Sequence, residues 1–322
     1  DVVRLGVLGA GNFANAVMLP AIAKVSSIER VSICSANGVN AQAAAKRFSF
    51  SAVAATEQEL ISSTDINTVA ILTRHHLHAS QTLAALQHGK HVFCEKPLAL
   101  THAELEDLED WLTSHPDSPL LMVGFNRRFS PLMKALVEFF IGRQEPLIAH
   151  YRVNAGYIPL QHWVHDPQQG GGRLRGEVCH FIDALTFLCG SLPLHVNVQA
   201  LPDKGIYQQD NLVIMLRFTD ESIGTITYVA NGDKLFSKER LEVFCGGRVG
   251  VLEDFRSLVL TKNGRRRQIH SWLRQDKGHQ AEWEAFARAL TQAGEPPIPY
   301  EQIFAVHRAT LVCADALCHN NS

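Results

Sequence analysis

The stretch Val2-Val3-Arg4-Leu5-Gly6-Val7-Leu8-Gly9-Ala10-Gly11-Asn12-Phe13-Ala14 decides the fold. Residues 2–8 form a short, mostly apolar run, the pattern of a strand buried on both faces. Gly9 permits the tight turn that must follow. Gly11 lets backbone amides approach a pyrophosphate with no Cβ in between, and Ala14 takes the third small position, where a helix packs closely on the strand. A helix over about 12–25 aims its unsatisfied N–H groups at the anion. A glycine turn that follows a strand and opens a helix reads as a dinucleotide-binding loop, with Gly9, Gly11, Asn12 and Phe13 as its contacts.

Outward from that turn, the first 125 residues alternate strand with helix. Apolar runs at 31–34, 69–72, 91–94 and 120–123 read as strands. Helices are expected at 41–48, at 78–88 (closed by Gly89) and from Thr101, which forms a capping box with Glu104. Such alternation with short loops implies a doubly wound parallel sheet, with ligands along the C-terminal edge of its strands. Cys94-Glu95-Lys96-Pro97 falls at that edge and places an ammonium group near the expected nicotinamide.

The pattern changes from about residue 149. Strands follow one another at 211–218, 222–229, 241–244, 248–252, 258–260 and 268–272, with hairpin chemistry at Asp220-Glu221, Gly246-Gly247 and Asn263-Gly264. Helices are expected at 177–189, 278–293 and 300–318. The fold class is therefore α/β: an N-terminal Rossmann doubly wound parallel sheet followed by an α/β domain with a large open, mainly antiparallel sheet. The boundaries are 1–124 for an NAD(P)-binding domain and 125–322 for a second domain, whose C-terminal helices could pack back on the first. Residues 157–172 show little periodicity and many polar and aromatic groups, and long irregular loops tend to be functional.

Composition narrows the function classes. The chain has 322 residues, 46% of them hydrophobic and 19% charged, with a net charge of −2. That balance offers no footprint for nucleic acid or an anionic membrane. Arg265-Arg266-Arg267 follows a turn signal and reads as a solvated strand start. No stretch reaches transmembrane length, and no signal peptide is recognised. Seven cysteines without a C-x-x-C spacing read as core residues of a reducing cytoplasm. The start at Asp1 fits either processing or a domain cut from a longer polypeptide.

Four motifs in order resemble the Gfo/Idh/MocA oxidoreductase family. They are Gly9-Ala10-Gly11-Asn12-Phe13-Ala14, Thr73-Arg74-His75-His76-Leu77-His78, Gly89-Lys90-His91-Val92-Phe93-Cys94-Glu95-Lys96-Pro97, and Gly170-Gly171-Gly172 leading to Cys179-His180-Phe181-Ile182-Asp183. The resemblance implies NADP or NAD as cofactor and a homo-oligomer (dimer or tetramer) formed through the C-terminal sheet. It also implies cofactor contacts from Thr73, Arg74, His75, His78, Glu95 and Lys96. Details at 152–159, 162–166 and 176–177 are similar to a subgroup often fused behind a medium-chain dehydrogenase domain.

Two departures stand out. Many members carry Asp at the end of strand two, on the adenosine ribose. This chain has Ser35, followed by Asn37, so a 2′-phosphate is tolerated, with Lys46 or Arg47 as further sources of charge. The usual Asp four residues before His180 is Gly176 here, with Glu177 beside it.

The implied reaction is hydride transfer between the nicotinamide and a secondary alcohol or ketone of a carbohydrate- or polyol-like substrate. His180 is the expected base, Lys96 the cation for developing alkoxide or, if burial lowers its pKa, an acceptor of the same proton, and Glu177 the partner that orients His180. Trp163 or Tyr157 is expected to stack on a sugar face, while Arg152, His162, His165 and Asp166 bond hydroxyls. The spacing of His162, His165 and Asp166 admits zinc in principle, but no thiolate is suitably spaced and no metal is assigned. Two other classes stand beside this reading: a non-catalytic dinucleotide-binding regulator, against which Lys96 and His180 argue, and one catalytic domain of a larger fused dehydrogenase.

Overall fold

The computed structural model describes residues 2–271 and 275–319. The chain divides into two compact units, Asp1–Gly124 with His279–Tyr300, and Phe125–Gly278 with Glu301–Ser322.

The first unit is built on six strands: β1 Val3–Leu8, β2 Ile28–Cys34, β3 Ala52–Val53, β4 Thr68–Ile71, β5 His91–Cys94 and β6 Leu121–Val123. All pair in parallel, in the order β3-β2-β1-β4-β5-β6. Strand order reverses between β1 and β4, and in such sheets ligands bind at the C-terminal ends flanking that point. Leu5, Val7, Val92, Phe93 and Cys94 are fully buried, as both faces are covered. The helices are α1 Leu19–Ile22, α2 Gly38–Phe48, α3 Glu57–Ser62, α4 His78–Gln87, α5 His102–Ser114 and, from later in the chain, α8 His279–Thr291. Trp283 of α8 stacks on Phe93 with ring centroids 4.2 Å apart. The Thr101–Glu104 capping box opens α5.

The helix expected over 12–25 is shorter and composite. It runs over residues 12–22, widening to i→i+5 bonding over Ala14–Met18 before it continues as α1. Pro20 has no N–H to donate, so the backbone bonding of the run changes register just before it.

The second unit holds an eight-stranded sheet: β7 Ile148–Asn154, β8 Pro193–Ala200, β9 Leu212–Phe218, β10 Ile223–Val229, β11 Glu239–Cys245, β12 Arg248–Glu253, β13 Ser257–Lys262 and β14 Arg265–His270. The order is β14-β13-β12-β11-β7-β10-β9-β8. Neighbours pair antiparallel except β7 and β10, which run parallel. The strand expected to reach Trp272 ends at His270, and Trp272 lies outside the described residues. Three helices complete the unit: α6 Pro131–Phe140, α7 Cys179–Cys189 and α9 Tyr300–His319. The helix expected from Glu177 starts earlier, at residue 172: its first turns widen to i→i+5 bonding over Leu174–Val178 and run without a break into α7.

One face of this sheet packs on α6 and α7: Tyr151 meets Phe181 at 5.2 Å between ring centroids, and Phe181 meets Tyr228 at 6.1 Å. The other face is open, so burial in β9 alternates strictly along the strand. Buried ion pairs fasten the core. Arg127 donates to Glu239 at 2.8 Å, as do Lys277 at 2.6 Å and the Tyr151 hydroxyl at 2.8 Å. Arg128 forks onto Asp183 of α7.

Candidate active site

The glycine turn leaves β1 with Gly9 N donating to the Cys34 carbonyl at 2.8 Å. Gly9 has φ +102°, and a Cβ there would lie 2.5 Å from the Leu72 carbonyl oxygen, so only glycine fits. Gly11 differs: a Cβ would meet nothing within 4 Å. The space before Gly11 is open, a cradle that a side chain would fill, and this fits a pyrophosphate drawn up to the backbone. Asn12 and Phe13 are exposed, and the Phe13 ring stands edge-on to His279 at 6.1 Å.

Ser35 follows β2 and is half-buried, and the Asn37 side chain caps α2 by accepting from Val39 N and Asn40 N. The expectation that Lys46 and Arg47 supply charge beside Ser35 is corrected here. Both lie in the last turn of α2, about 13 Å along the helix from its cap. Arg47 sits over the Phe48 ring at 4.9 Å.

Lys96 follows β5 on a turn whose Lys96-Pro97 peptide is cis. Its side chain is half-buried, and its backbone N–H donates to Glu95 Oε2 at 3.3 Å. Glu95 is buried against Gly124, where a Cβ would come within 2.7 Å of Oε1. The turn is held from α4 by His78, which is 1% exposed. His78 Nδ1 lies 2.7 Å from the Pro97 carbonyl, and Nε2 lies 3.1 Å from that of Thr73. Burial pushes this imidazole down to about 4, against the pull of the Pro97 and Thr73 carbonyls. His78 thus enters the candidate cofactor set as a support of the turn, with both ring nitrogens against carbonyls. Thr73 donates to Gln81, and Gln81 to Glu57, while Arg74 is exposed and His75 meets His78 edge-on at 5.7 Å.

In the second unit, His180 sits in the first turn of α7, half-buried, with Phe125 and Phe181 at ring-centroid distances of 6.3 and 6.4 Å. Glu177 precedes it by three residues. Arg173 Nε donates to Glu177 Oε1 at 3.0 Å, and the Tyr228 hydroxyl donates to Oε2 at 2.8 Å. Burial alone would lower the Arg173 guanidinium, yet Glu177 and Tyr228 hold it above its ordinary value. Asp210 is wholly buried beside this group. Burial pushes its carboxyl up to about 6, with Arg173 opposing and Glu177 adding to the rise.

The loop expected to read hydroxyls is largely self-supporting. The exposed His162 accepts from Val164 N at 3.3 Å, and Asp166 accepts from Gln168 N at 2.8 Å. His165 is buried, with Nε2 3.3 Å from the Ile158 carbonyl and 3.9 Å from Asp210. Burial lowers its pKa. Trp163 is half-buried, and the exposed Tyr157 meets Tyr207 edge-on at 6.0 Å.

Arg152 is placed apart from the 157–166 loop's own contacts. Successive residues of β7 face opposite sides, so Tyr151 points at α7 and Arg152 at the open face. There Arg152 bonds Ser237 and Glu253 and lies over Phe236. Sequence reasoning missed Arg173, Asp210 and Tyr228. The four-residue spacing of Arg173 and Glu177 was a usable signal, whereas Asp210 and Tyr228 arrive from distant segments.

Comparison with known proteins agrees with this architecture. Residues 3–125 match the model of the oxidoreductase family, NAD-binding Rossmann fold, and residues 133–247 match the GFO/IDH/MocA C-terminal domain. The 1,5-anhydro-D-fructose reductase of Ensifer adhaerens is 32% identical over 199 residues, covering 59% of this chain and 57% of that protein. Levoglucosan dehydrogenase of Pseudarthrobacter phenanthrenivorans is 30% identical over 233 residues, covering 62% of this chain and 58% of that protein. The chain therefore spans less than two thirds of either relative's length. A solved levoglucosan dehydrogenase in complex with NADH and levoglucosan shares the fold, with TM-score 0.83 and 23% identity over 99% of this chain and 98% of that one. With both of its domains matched, the chain belongs to the Gfo/Idh/MocA oxidoreductase family, and its first unit is an NAD-binding Rossmann domain.

Proposed function

We propose that this protein is an NAD(P)-dependent oxidoreductase acting on the CH–OH group, or the corresponding ketone, of a carbohydrate- or polyol-like substrate. The observation that carries the reading is Lys96: a half-buried ammonium on a turn pinned by His78, at the strand edge that also carries the Gly9–Gly11 turn. When bound, the nicotinamide supplies the hydride acceptor or donor.

The chain's own residues do the rest. Gly11 admits the pyrophosphate to the backbone. Lys96 stabilises negative charge on the substrate oxygen as its proton leaves, the role that preorganised cations fill in such sites. His180 takes that proton, and imidazole suits the task because it titrates near neutrality. The relatives' names support a sugar or polyol as substrate: one reduces 1,5-anhydro-D-fructose, and another oxidises levoglucosan.

The test is a turnover panel of inositols, levoglucosan, 1,5-anhydro-D-fructose and simple glucosides with NAD(H) and NADP(H). Turnover of one or more supports the reading, and none by a protein that binds NADH overturns it.

A homo-oligomer through the open sheet face belongs to the same proposal. Ile148 and Phe244, paired across β7 and β11, and Val213 and Met215 of β9 are exposed on that face, each about half accessible, and apolar side chains left open in this way suit burial against a second copy. Met215→Glu should shift the protein to a smaller species in light scattering. Among the described residues no helix is long and apolar enough to cross a membrane. The free thiols, six of them buried, support a reducing cytoplasm.

A further inference from the structure

The turn leading to His180 carries a buried cation that the proposed chemistry leaves unused. Arg173 is 1% exposed. Its Nε donates to Glu177 Oε1 at 3.0 Å, its Nη2 to Oε2 at 3.4 Å, and its Nη1 to the Gly156 carbonyl at 2.6 Å. The Tyr228 hydroxyl reaches Oε2 from β10 at 2.8 Å, and the guanidinium lies over the Tyr228 ring at 5.2 Å. Asp210, wholly buried, adds a second negative charge beside the guanidinium.

These contacts have a common effect. A glutamate side chain at a quarter exposure samples several rotamers unless both oxygens are held. Here a planar fork and a hydroxyl hold them from two directions, which a point charge does not reproduce. Arg173 also grips the carbonyl of Gly156, at the start of the long loop over 155–172. One buried side chain thereby joins that loop, β10 and the helical turn before His180.

We propose that Arg173 is the positioning residue of this site: with Tyr228 it fixes Glu177 one turn before His180, so that the carboxylate and the imidazole act as a unit. The proposal rests on the reading of His180 as proton acceptor. It also accounts for the Gly176-Glu177 departure, because a carboxylate at 177 is four residues from Arg173 and within its reach.

The test is a double-mutant cycle on the full chain, using whichever sugar or polyol of the panel turns over fastest. Arg173→Met, Arg173→Lys, Tyr228→Phe and His180→Ala are compared for kcat, KM and NADH affinity, with thermal melts to confirm folding. Arg173→Met should lower kcat about tenfold or more and leave NADH affinity unchanged, and Arg173→Lys should recover only part. Combined with His180→Ala it should cost no more than about twofold beyond His180→Ala alone, since groups acting as a unit are non-additive. If Arg173→Met folds poorly, Tyr228→Phe, which removes one hydroxyl, should show the same non-additivity with a smaller loss. Multiplicative losses in the cycle, or unchanged kcat with a lower melting temperature, overturn the proposal. Full turnover by His180→Ala overturns instead the reading of the base beneath it.

Discussion

His78 Nδ1 lies 2.7 Å from the carbonyl oxygen of Pro97, and that bond ties the start of α4 to the turn carrying Lys96. A fully buried imidazole is an expensive way to hold a turn unless its position matters. His78→Ala leaves a buried carbonyl without its donor and should cost about 1–3 kcal/mol in urea unfolding. His78→Asn, whose amide can still donate to Pro97, should cost less, and both should lower kcat more than they weaken NADH binding.

The same residue predicts a pH dependence. Its folded pKa is about 4, against 6.5 for an unperturbed histidine. The unfolded chain then binds the extra proton first, so the contribution is complete above about pH 6.5 and is lost as pH falls toward about 4. The whole step is worth roughly 3 kcal/mol. Urea midpoints between neutrality and pH 4 should show this slope in the wild type, with His78→Asn lacking it.

Gly9 and Gly11 should separate folding from binding. A Cβ at Gly11 meets no protein atom within 4 Å, so Gly11→Val should stay within about 0.5 kcal/mol of wild-type stability. NADH binding, read by fluorescence titration, should be abolished. Gly9→Ala combines a positive φ with a collision at Leu72 and should destabilise the protein by more than about 2 kcal/mol. Equal NADH affinity in a folded Gly11→Val protein would contradict the placement of the pyrophosphate.

Glu239 predicts a second response to acid, in the second unit. Burial alone would raise its carboxyl, but Arg127 and Lys277 outweigh burial and hold it far below the usual carboxylate range. Its contribution is therefore present above about pH 4.5 and lost as pH falls below it. Glu239→Gln leaves the buried Arg127 and the half-buried Lys277 short of a charge, which should cost about 3–5 kcal/mol and remove that part of the acid sensitivity. Urea unfolding at two pH values checks both.

Ser35 sets the cofactor expectation. With Lys46 and Arg47 at the far end of α2, the hydroxyl is not reinforced by those cations, so NAD(H) and NADP(H) affinities should differ by less than about tenfold. Ser35→Asp should weaken NADP(H) by at least about tenfold through repulsion of the 2′-phosphate while sparing NAD(H). Titration of both cofactors into both proteins decides it.

The legible parts of this chain are those in which local pattern and global fold agree. The β1–Gly9–Gly11 turn and the β5–Lys96 turn follow apolar strands at the edge where ligands bind. Less local features were hidden. β3 is two exposed residues with no period to read, and α3 begins at a cap, Thr56, that resembles any polar turn. β7 joins a mainly antiparallel sheet as a parallel neighbour of β10, a pairing across 75 residues that no turn signals. In the candidate site, His180 was readable from the motif and Glu177 only as a departure from it, and the contacts that hold Glu177 come from Arg173 and Tyr228 together. The side of the sheet that Arg152 faces was hidden too, because a strand's two faces look alike until the sheet's covered side is known.

The most direct measurement is the near-ultraviolet absorbance of NADH when the wild type and Lys96→Ala are mixed with oxidised cofactor and the panel of sugars and polyols. The account predicts NADH formation by the wild type with at least one of them, and a rate lower by roughly 10²–10³ in Lys96→Ala, the loss that follows removal of one preorganised group from a developing oxyanion. Cofactor affinity should fall by far less than the rate. Comparable rates from the two proteins, or no NADH from a wild type that binds its cofactor, would contradict it.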